Sequence, residues 1–386
     1  MPGPLEGVVV VDLSRVVAGP QATMALADLG ARVIKVERPG TGDETRGWGP
    51  PFVDGVSTYY LSVNRNKESI ELDLKADAGR AVLERLVRRA DVLVENFRTG
   101  VMDRLGLGTA RLRELNPRLV VLSITGFGHD GPEGGRPGYD AIVQAEAGIM
   151  AVTGPPGAPS KVGLSIADIL AAHNGVAGVL AALYERERTG RGTVVRTSLL
   201  ASVVAAHMFQ GTRWTVAKDD PEPVGNDHPS LAPYGTFACA DGALQIGVAN
   251  QDLWRRFAPL VGLDPGDPRY ATIPDRTERR AELAADIERA LAAGTRAEWL
   301  ARLAEAGVPA GTIRTVGEVY EWAQTRSQGL VVEVEHPDLG RVELPGPPLR
   351  FDGAPPRAHT APPRLGEHGD AIMAWLDEPD ERDGDH

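Results

Sequence analysis

One carboxylate in this sequence occupies a position where it could do chemistry. Asp168 follows a short apolar run and precedes a long Ala/Leu/Val segment, 169–184, whose apolar residues recur at helical spacing. An Asp at the start of a buried helix most often caps backbone N–H groups and gains from the helix dipole. The alternative is that the same N–H groups and the nearby glycines form an anion-stabilising pocket in which Asp168 is a nucleophile. The local sequence leaves both roles open.

The elements that would position Asp168 begin near the N-terminus. Residues 8–14 form an apolar run of strand length, a helix begins at Gly19-Pro20 and stops at Gly30, and 32–37 is the next predicted strand. This β-α-β unit predicts a right-handed crossover and a Rossmann-like sheet, and therefore an α/β fold. No G-x-G-x-x-G lies between Ser14 and the helix, which argues against a dinucleotide site.

Strands and helices continue to alternate along the chain. Further strands are predicted at 70–74, 91–95, 119–124 and 194–199, and helices at 76–89, 111–115, 144–152 and 200–215. The composition changes near 219–226, which we interpret as a linker out of the first domain. Beyond it, alternation around the Asp241-Gly242 turn predicts a hairpin, and 276–293 and 296–306 are amphipathic.

Composition limits the classes of function. A chain of 386 residues with 42% hydrophobic and 24% charged residues is long enough for two domains of an ordinary globular enzyme. The single cysteine, Cys239, excludes an internal disulfide and a cysteine-based zinc site. A net charge of −12 argues against a nucleic-acid partner. No apolar run approaches transmembrane length and the N-terminus lacks the pattern of a signal peptide, so we expect no membrane association and a cytoplasmic location.

Several motifs acquire meaning through their order and spacing. They are LSRVVAGP at 13–20, GARVIKVERPG at 30–40, VENFR at 94–98, GLG at 106–108, TGFG at 125–128, DGP at 130–132, PGYDA at 137–141, TGRG at 189–192 and LGEH at 365–368. Together they resemble the class III CoA-transferases, the family that contains formyl-CoA transferase, carnitine CoA-transferase and α-methylacyl-CoA racemase. The resemblance extends over nearly the whole chain.

The resemblance implies an architecture and a nucleophile. Members are interlocked homodimers, in which a large Rossmann-like domain is built from both termini and a smaller α+β domain is inserted. On this basis we predict the N-terminal part of the large domain over 1–218, the small domain with its linkers over 219–328, and a return segment over 329–386. In the transferases of the family, the nucleophilic Asp matches Asp168. The resemblance implies no metal and no cofactor beyond the CoA thioester substrate.

The resemblance also implies a CoA site. Four residues match cationic or near-cationic positions of the family's site, where charge-assisted hydrogen bonds would hold phosphate groups: Arg38, Lys75, Arg98 and Arg104. Four others match positions that line the path of the adenine and pantetheine: Leu72, Asn96, Phe97 and Tyr139. Without the family, any one of these arginines is more simply interpreted as part of a solvated helix face.

Two departures from the family bear on the reaction. The racemases use a His in a Gly-His-Asp triplet and a Glu early in the small domain, whereas this chain has Tyr139 and Asn250 at those positions. Neither side chain is a general base near neutral pH, so a 2-methylacyl-CoA racemase or epimerase is the disfavoured alternative. Formyl-CoA transferases carry a Gln where this chain has Val17, and their glycine-rich flap is missing between 226 and 235. Oxalate/formate exchange is therefore disfavoured too.

Within the family, the chain is most similar to members that transfer CoA from succinyl-CoA to glutarate. The similarity depends on residues 42–52, 57–67, 329–331 and 335–337. We therefore predict transfer of CoA from succinyl-CoA, or a related acyl-CoA, to a small dicarboxylate such as glutarate or itaconate. The route would be an aspartyl mixed anhydride and an aspartyl-CoA thioester. A third possibility, from outside enzymology, is a non-catalytic CoA-binding protein.

A dicarboxylate acceptor reacts through one carboxylate and needs its other carboxylate recognised. The fork of donors on Arg65 is our candidate for that role. The structural alternative is that 64–67 is simply a turn. His228 and Tyr234, at the start of the small domain, are further candidates for the acyl pocket.

Overall fold

A six-stranded parallel sheet is the centre of the computed structural model, which describes residues 3–351 and 358–379. In spatial order its strands are β5 (Lys67–Glu71), β2 (Arg32–Glu37), β1 (Val9–Asp12), β6 (Val92–Glu95), β7 (Val120–Thr125) and β8 (Val194–Ser198). Every neighbouring pair is parallel. The α/β class with a parallel sheet, predicted from the sequence, is confirmed.

The strand order reverses at β1. From β1 the chain moves outward to β2 and then β5, and it later returns to place β6 on the other side of β1. In open parallel sheets such a reversal leaves a crevice at the carboxyl ends of the two strands, because the connecting helices leave in opposite directions. The loops after β1 and β6 are therefore the expected walls of a binding site.

Helices cover both faces of this sheet. The helices of the unit are α1 (Ala18–Asp28), α2 (Thr58–Leu61), α3 (Asp77–Arg89), α4 (Val101–Arg104), α5 (Thr109–Leu115), α6 (Asp140–Glu146), α7 (Ile166–Thr189), α8 (Leu199–Ala206), α9 (Met208–Thr212), α15 (Ala323–Ser327) and α16 (Gly369–Asp377). One apolar cluster joins α1, α7 and α8 to Val10 and Leu122, whereas a second joins α3, α5 and α16 to Val11 and Leu93. Neighbouring strand residues thus face opposite cores, as the pleat requires.

The helix that carries Asp168 lies very close to the sheet. A Cβ at Gly175 would stand 2.8 Å from Leu122, and one at Gly178 would stand 2.5 Å from Val195, so only glycine allows this approach. We expected no apolar run of transmembrane length, but α7 is long and apolar enough to cross a membrane by those two criteria alone. Its buried residues pack on β7 and β8, which is the environment of a core helix.

A second compact unit is formed by 150–161 together with 218–322. Its antiparallel sheet has the order β11 (Ala310–Thr312), β10 (Gly242–Gly247) and β9 (Tyr234–Cys239), and β9 and β10 form the predicted hairpin. Its helices are α10 (Gln251–Phe257), α11 (Ile273–Glu278), α12 (Arg280–Leu291), α13 (Arg296–Glu305) and α14 (Val316–Glu321). They pack around Trp254, Phe257 and Trp299.

The two units divide the chain near the predicted boundaries, with two differences. The second unit ends at 322 rather than 328, and it includes 150–161, which we had assigned to the large domain. That segment joins it through a backbone hydrogen bond in which Gly225 donates to Gly154 at 2.7 Å. Contacts between residues distant in the sequence create this association, so local composition did not reveal it.

The C-terminal segment belongs to the first unit. It contains the hairpin β12 (Val331–His336) and β13 (Gly340–Pro345), and a smaller hairpin, β3 (Phe52–Val53) and β4 (Val56–Ser57), precedes α2. Asn66 N–H donates to the Thr360 carbonyl at 3.1 Å, and α16 packs in the core under β1. Residues 352–357 and 380–386 of the predicted return segment lie outside the described residues.

Candidate active site

A cavity of about 840 Å³ lies where the strand order reverses. Its walls come from the segments that follow β1, β2, β5, β6 and β7, which places it at the carboxyl ends of five adjacent strands. Asp168, in the first turn of α7, also lines it. The topology therefore brings together residues that are far apart in the sequence, from Leu13 to Leu199.

The Asp168 carboxylate is half-buried, and no cation or hydrogen-bond donor of the described residues stabilises its charge. Burial and, to a smaller extent, the neighbouring charge of Asp140 raise the pKa of Asp168 to about 7. Within the described residues, its side chain accepts no hydrogen bond. A capping Asp would accept backbone N–H groups and would have a lowered pKa. Asp168 thus lacks the contacts that the capping interpretation requires.

Asp140 supplies the capping contact instead. Its Oδ1 accepts the Ala167 N–H at 2.8 Å, at the start of α7, while its Oδ2 accepts the Gln144 side-chain amide at 2.7 Å. Gln144 also accepts the Val162 N–H at 2.8 Å and donates to the Leu164 carbonyl at 3.1 Å. Two residues of α6 therefore hold the entrance of α7, which leaves Asp168 available to a ligand.

The beginning of α1 faces the same cavity. Val17 is its N-cap residue and provides no side-chain cap, and Val16, Val17 and Ala18 line the cavity with Asp168. The first N–H groups of a helix have no partner within the helix, and they carry the positive end of its dipole. This wall is suited to an oxygen atom on which negative charge develops.

Seven of the eight predicted CoA contacts line this cavity: Arg38, Leu72, Lys75, Asn96, Phe97, Arg98 and Tyr139. The eighth, Arg104, is an exposed residue of α4 and is not part of the lining. The side chains of Arg38, Lys75 and Arg98 are exposed, so their cationic groups can reach a phosphate. A CoA contact for Arg104 stays a prediction that this geometry does not support.

The sequence analysis missed two further arginines of the lining. Arg15 lies 5.4 Å from the Phe97 ring centroid, and Asn96 fixes its backbone by accepting the Arg15 N–H at 2.9 Å and donating to the Arg15 carbonyl at 2.7 Å. Arg136 lies 4.6 Å from the Phe127 ring centroid and pairs with Glu146 at 2.6 Å. Arg15 lies within the quoted motif at 13–20 and Arg136 directly precedes the one at 137–141, so cationic residues in and beside those motifs were the available signal.

Arg65 lies elsewhere. Its side chain is buried, its Nε donates to Asp28 Oδ1 at 2.9 Å, and its Nη1 donates to the Pro345 carbonyl at 2.7 Å. It does not line the cavity. With a further bond from Nη2 to Asp28, all three guanidinium nitrogens of Arg65 bind groups of the protein, so the prediction that it binds a distal carboxylate is replaced by the structural alternative. A turn with a buried ion pair explains its position.

Tyr59 is a neighbour of Asp168 that the sequence analysis did not single out. Burial raises the pKa of the Tyr59 hydroxyl, a hydrogen bond with Ser165 opposes the rise, and the Asp168 charge adds to it. Trp48 packs against Tyr59 edge to face at 5.2 Å between ring centroids. The Tyr59 hydroxyl therefore stands beside the start of α7, and Trp48 supports the Tyr59 ring.

His228 and Tyr234 lie together in the second unit. Their ring centroids are 5.2 Å apart, and the His228 N–H donates to the Tyr234 carbonyl at 2.9 Å. Burial lowers the pKa of His228, and the charge of Arg280 lowers it further. Their role in the acyl pocket stays a prediction.

The positions that distinguish racemases have structural explanations here. Asn250 accepts the Leu253 N–H at 2.9 Å and is the N-cap of α10. Tyr139, at the His position of the triplet, is 66% exposed and is the N-cap residue of α6. Neither site holds a base that could remove a proton from carbon.

Comparisons with known proteins agree with this geometry. The family model described as CoA-transferase family III matches residues 5–369. The succinyl-CoA:glutarate CoA-transferase of Mus musculus is 39% identical over 373 residues, which are 96% of this chain and 86% of that protein. The acetyl-CoA:oxalate CoA-transferase of Acetobacter aceti is 40% identical over 375 residues, with 96% and 95% covered.

A solved structure provides the matching fold. The crystal structure of a CAIB/BAIF family protein from Brucella suis superposes with a TM-score of 0.88 at 39% identity, covering 98% of this chain and 100% of that one. Family, relatives and fold coincide over nearly the full length. The chain is therefore a transferase enzyme that belongs to CoA-transferase family III.

Proposed function

We propose that this enzyme moves CoA from succinyl-CoA, or a related acyl-CoA, to a small dicarboxylate, with Asp168 as the nucleophile. The observation that carries the proposal is the state of Asp168. It is half-buried in the cavity, it accepts no hydrogen bond within the described residues, and its pKa is raised to about 7. A carboxylate that is kept free of partners retains its lone pairs for attack on an activated acyl donor.

The donor half-reaction would form two covalent intermediates. The Asp168 carboxylate attacks the thioester carbonyl, the carbon–sulfur bond breaks, and an aspartyl mixed anhydride and the CoA thiolate result. The thiolate then attacks the Asp168 carbonyl and expels the donor acid as its carboxylate, which leaves an aspartyl-CoA thioester. Charge is conserved throughout, and no proton has to move.

The acceptor half-reaction reverses these steps with another acid. The acceptor carboxylate attacks the aspartyl thioester and releases the thiolate, which then attacks the acceptor carbonyl of the new anhydride. The products are the acceptor's CoA thioester and the Asp168 carboxylate. Each step passes through an oxyanion, and the N–H groups at the start of α1, on the same cavity as Asp168, are the donors that we assign to it.

The choice of a dicarboxylate acceptor is supported by the relatives. One is named for glutarate and another for oxalate, and both are dicarboxylates. Oxalate therefore stands as a second candidate acceptor beside glutarate and itaconate, although the sequence alone disfavoured oxalate/formate exchange. Besides the buried Lys35, the cavity lining has five cationic side chains that can recognise phosphate and carboxylate groups: Arg15, Arg38, Lys75, Arg98 and Arg136.

We further propose a homodimer, interlocked as in the family. Its support is apolar surface on the first unit, where a solvent-exposed row lies on and after α8 and α9: Val204, Met208, Phe209, Trp214 and Val216. Large apolar side chains that cluster on a surface mark places where another chain binds.

The direct test is mass spectrometry of the CoA esters formed from succinyl-CoA and a panel of acids that includes glutarate, itaconate, oxalate and acetate. We expect new esters of dicarboxylates and none from the Asp168→Asn variant. Hydroxylamine added during turnover should modify residue 168. Transfer that survives in Asp168→Asn, or modification of another residue, would refute the proposal. Deuterium exchange at the α-carbon of a 2-methylacyl-CoA would support the racemase alternative instead.

A further inference from the structure

A buried ion pair lies in the wall of the cavity that also contains Asp168. Lys35 is on β2, Asp43 is in the loop after β2, and their side chains are fully buried with Nζ and Oδ2 3.0 Å apart. Lys35 also donates to the Ser14 carbonyl at 2.9 Å. Burial by itself would raise the pKa of Asp43, but Lys35 and the Thr45 N–H outweigh it and lower that pKa, so the pair is ionised near neutral pH.

Asp43 holds the backbone of an unusual residue. Its two carboxylate oxygens accept the Val16 N–H at 3.2 and 3.3 Å. Val16 has a φ of 68°, in the left-handed region that β-branched residues rarely adopt. A conformation of this kind persists only where surrounding contacts enforce it, and such residues concentrate at functional sites.

Residues on β2, in the loop after β2 and in the loop after β6 hold this turn, which comprises residues 14–17. Lys35 from β2 binds the carbonyl of Ser14, Asn96 after β6 binds both backbone groups of Arg15, and Asp43 binds the N–H of Val16. Ala18, the first residue of α1, follows immediately. The turn thus sets where the first N–H groups of α1 stand relative to the cavity.

General stability is a weak explanation for Lys35 and Asp43. Desolvating two charges offsets most of their attraction, so a buried ion pair often stabilises a fold no better than apolar residues of the same size would. Both members of this pair instead bind backbone atoms of the cavity wall. We therefore attribute their placement to holding the backbone of that wall in its shape.

We propose that Lys35 and Asp43 are positioning residues of the transferase: they hold residues 14–17 in the left-handed turn that presents the start of α1 to the acyl group on Asp168. The inference rests on the proposed role of Asp168. Misplacing a pre-organised donor lowers the rate of the chemical steps much more than it weakens substrate binding. The pair should therefore act on kcat and leave KM for the acyl-CoA nearly unchanged.

The test compares Asp43→Asn with Asp91→Asn. Asp91 is a matched control because it also accepts a backbone N–H, that of Val9 at 2.9 Å, and pairs with a buried cation, Arg186, at 3.0 Å. It stands at the amino ends of the strands, at the edge opposite the cavity. Lys35 retains Asp12 and Glu37 nearby when Asp43 becomes neutral, so the variant should fold.

We expect Asp43→Asn to lower kcat by at least about tenfold while KM for succinyl-CoA stays within about twofold. Asp91→Asn should shift Tm comparably but leave kcat within about twofold of the parent, because its partners are structural. Equal losses of kcat in the two variants, or a change in KM alone, would overturn the proposal.

Thr45→Val provides a milder variant if Asp43→Asn does not fold. The Thr45 hydroxyl donates to Asp43 Oδ1 at 2.8 Å, and valine removes that bond while conserving volume. We expect kcat to fall roughly threefold, and an unchanged kcat would overturn the inference. The Asp168→Asn variant separates the two proposals. If it is inactive and Asp43→Asn is fully active, only the positioning role is refuted, whereas an active Asp168→Asn refutes the proposed function.

Discussion

Asp12 and Asp168 belong to the same unit, and their environments produce opposite acidities. Burial would raise the pKa of Asp12, but Lys67, Lys35 and hydrogen bonds from Ser14 and Thr23 outweigh it and lower the pKa to about 2. Burial of Asp168 meets no such compensation, and its pKa rises to about 7. Burial raises both pKa values, so the difference between them comes from the partners that Asp12 has and Asp168 lacks.

This contrast separates a structural acid from a reactive one. Asp12 has its lone pairs occupied by Lys67 at 3.1 Å, Thr23 at 2.7 Å and the Ser14 N–H at 2.9 Å. Asp168 is left open to the cavity while Asp140 caps α7 in its place. Titratable groups with strongly raised pKa values and unused hydrogen-bonding capacity concentrate at catalytic sites.

The largest expected effect is on activity. Replacing Asp168 with Asn removes the nucleophile with little change in shape, and we expect the rate of CoA transfer to fall by at least about 10³-fold. The measurement is the initial rate of ester formation from succinyl-CoA and glutarate. Retention of more than a few per cent of the parent rate would contradict the assignment of Asp168 as the nucleophile. It would also mean that Asp168, like Asp12, is not a reactive carboxylate.

The matching change at Asp12 should act on stability. Asp12→Asn leaves the buried Lys67 ammonium without its carboxylate, and breaking a buried ion pair in this way destabilises a fold by about 3–5 kcal/mol. Denaturant unfolding monitored by fluorescence would give the difference in free energy. A loss below about 1 kcal/mol would mean that Asp12 is not held by its partners as we describe.

Activity should depend on pH through Asp168. Only the ionised carboxylate is a nucleophile, so below its pKa of about 7 the value of kcat/KM for the acyl-CoA should fall about tenfold for each pH unit. It should level off above pH 8. A profile that is flat from pH 5 to pH 8 would show that the carboxyl is already ionised at pH 5, like an ordinary aspartate.

The smallest effect is a gain in stability. Because folding raises the pKa of Asp168 from 3.8 to about 7, ionisation of this group opposes folding above pH 4, and the opposition is complete only above pH 7. Asp168→Asn should therefore stabilise the protein at pH 8, by about 1–2 kcal/mol after allowance for partial exposure, and have almost no effect at pH 4. Equal unfolding free energies of the parent and the variant at pH 8 would contradict this.

Local patterns predicted the first β-α-β unit and the hairpin of the second unit, because both depend on periodicity and turn residues. They did not give the strand order, because β6 finds β1 across about 80 residues of sequence. Asp168 was identified by its place at a helix entrance and by the family resemblance. The sequence did not reveal that Asp168 is free of a capping role, because Asp140 on another helix caps α7 instead.

Charged residues were the hardest to interpret from the sequence. From the sequence we predicted a ligand contact for Arg65 and assigned no role to Lys35, yet each is buried against an aspartate that no local pattern connects to it. Arg65 pairs with Asp28, 37 residues away, so no local pattern favoured a structural partner over a ligand. Burial of a charge is a property of the assembled fold, and it becomes visible only there.

The reversed strand order has a consequence for how the enzyme matures. The turn after β1 and the loop after β6 become opposite walls only when Asp12 and Val94 reach the same register on neighbouring strands. A chain that has formed only β1, β2 and β5 has a sheet edge where the pocket should be. Binding of a CoA ester therefore reports that the central sheet is complete, and the ester selectively stabilises molecules that have reached that stage.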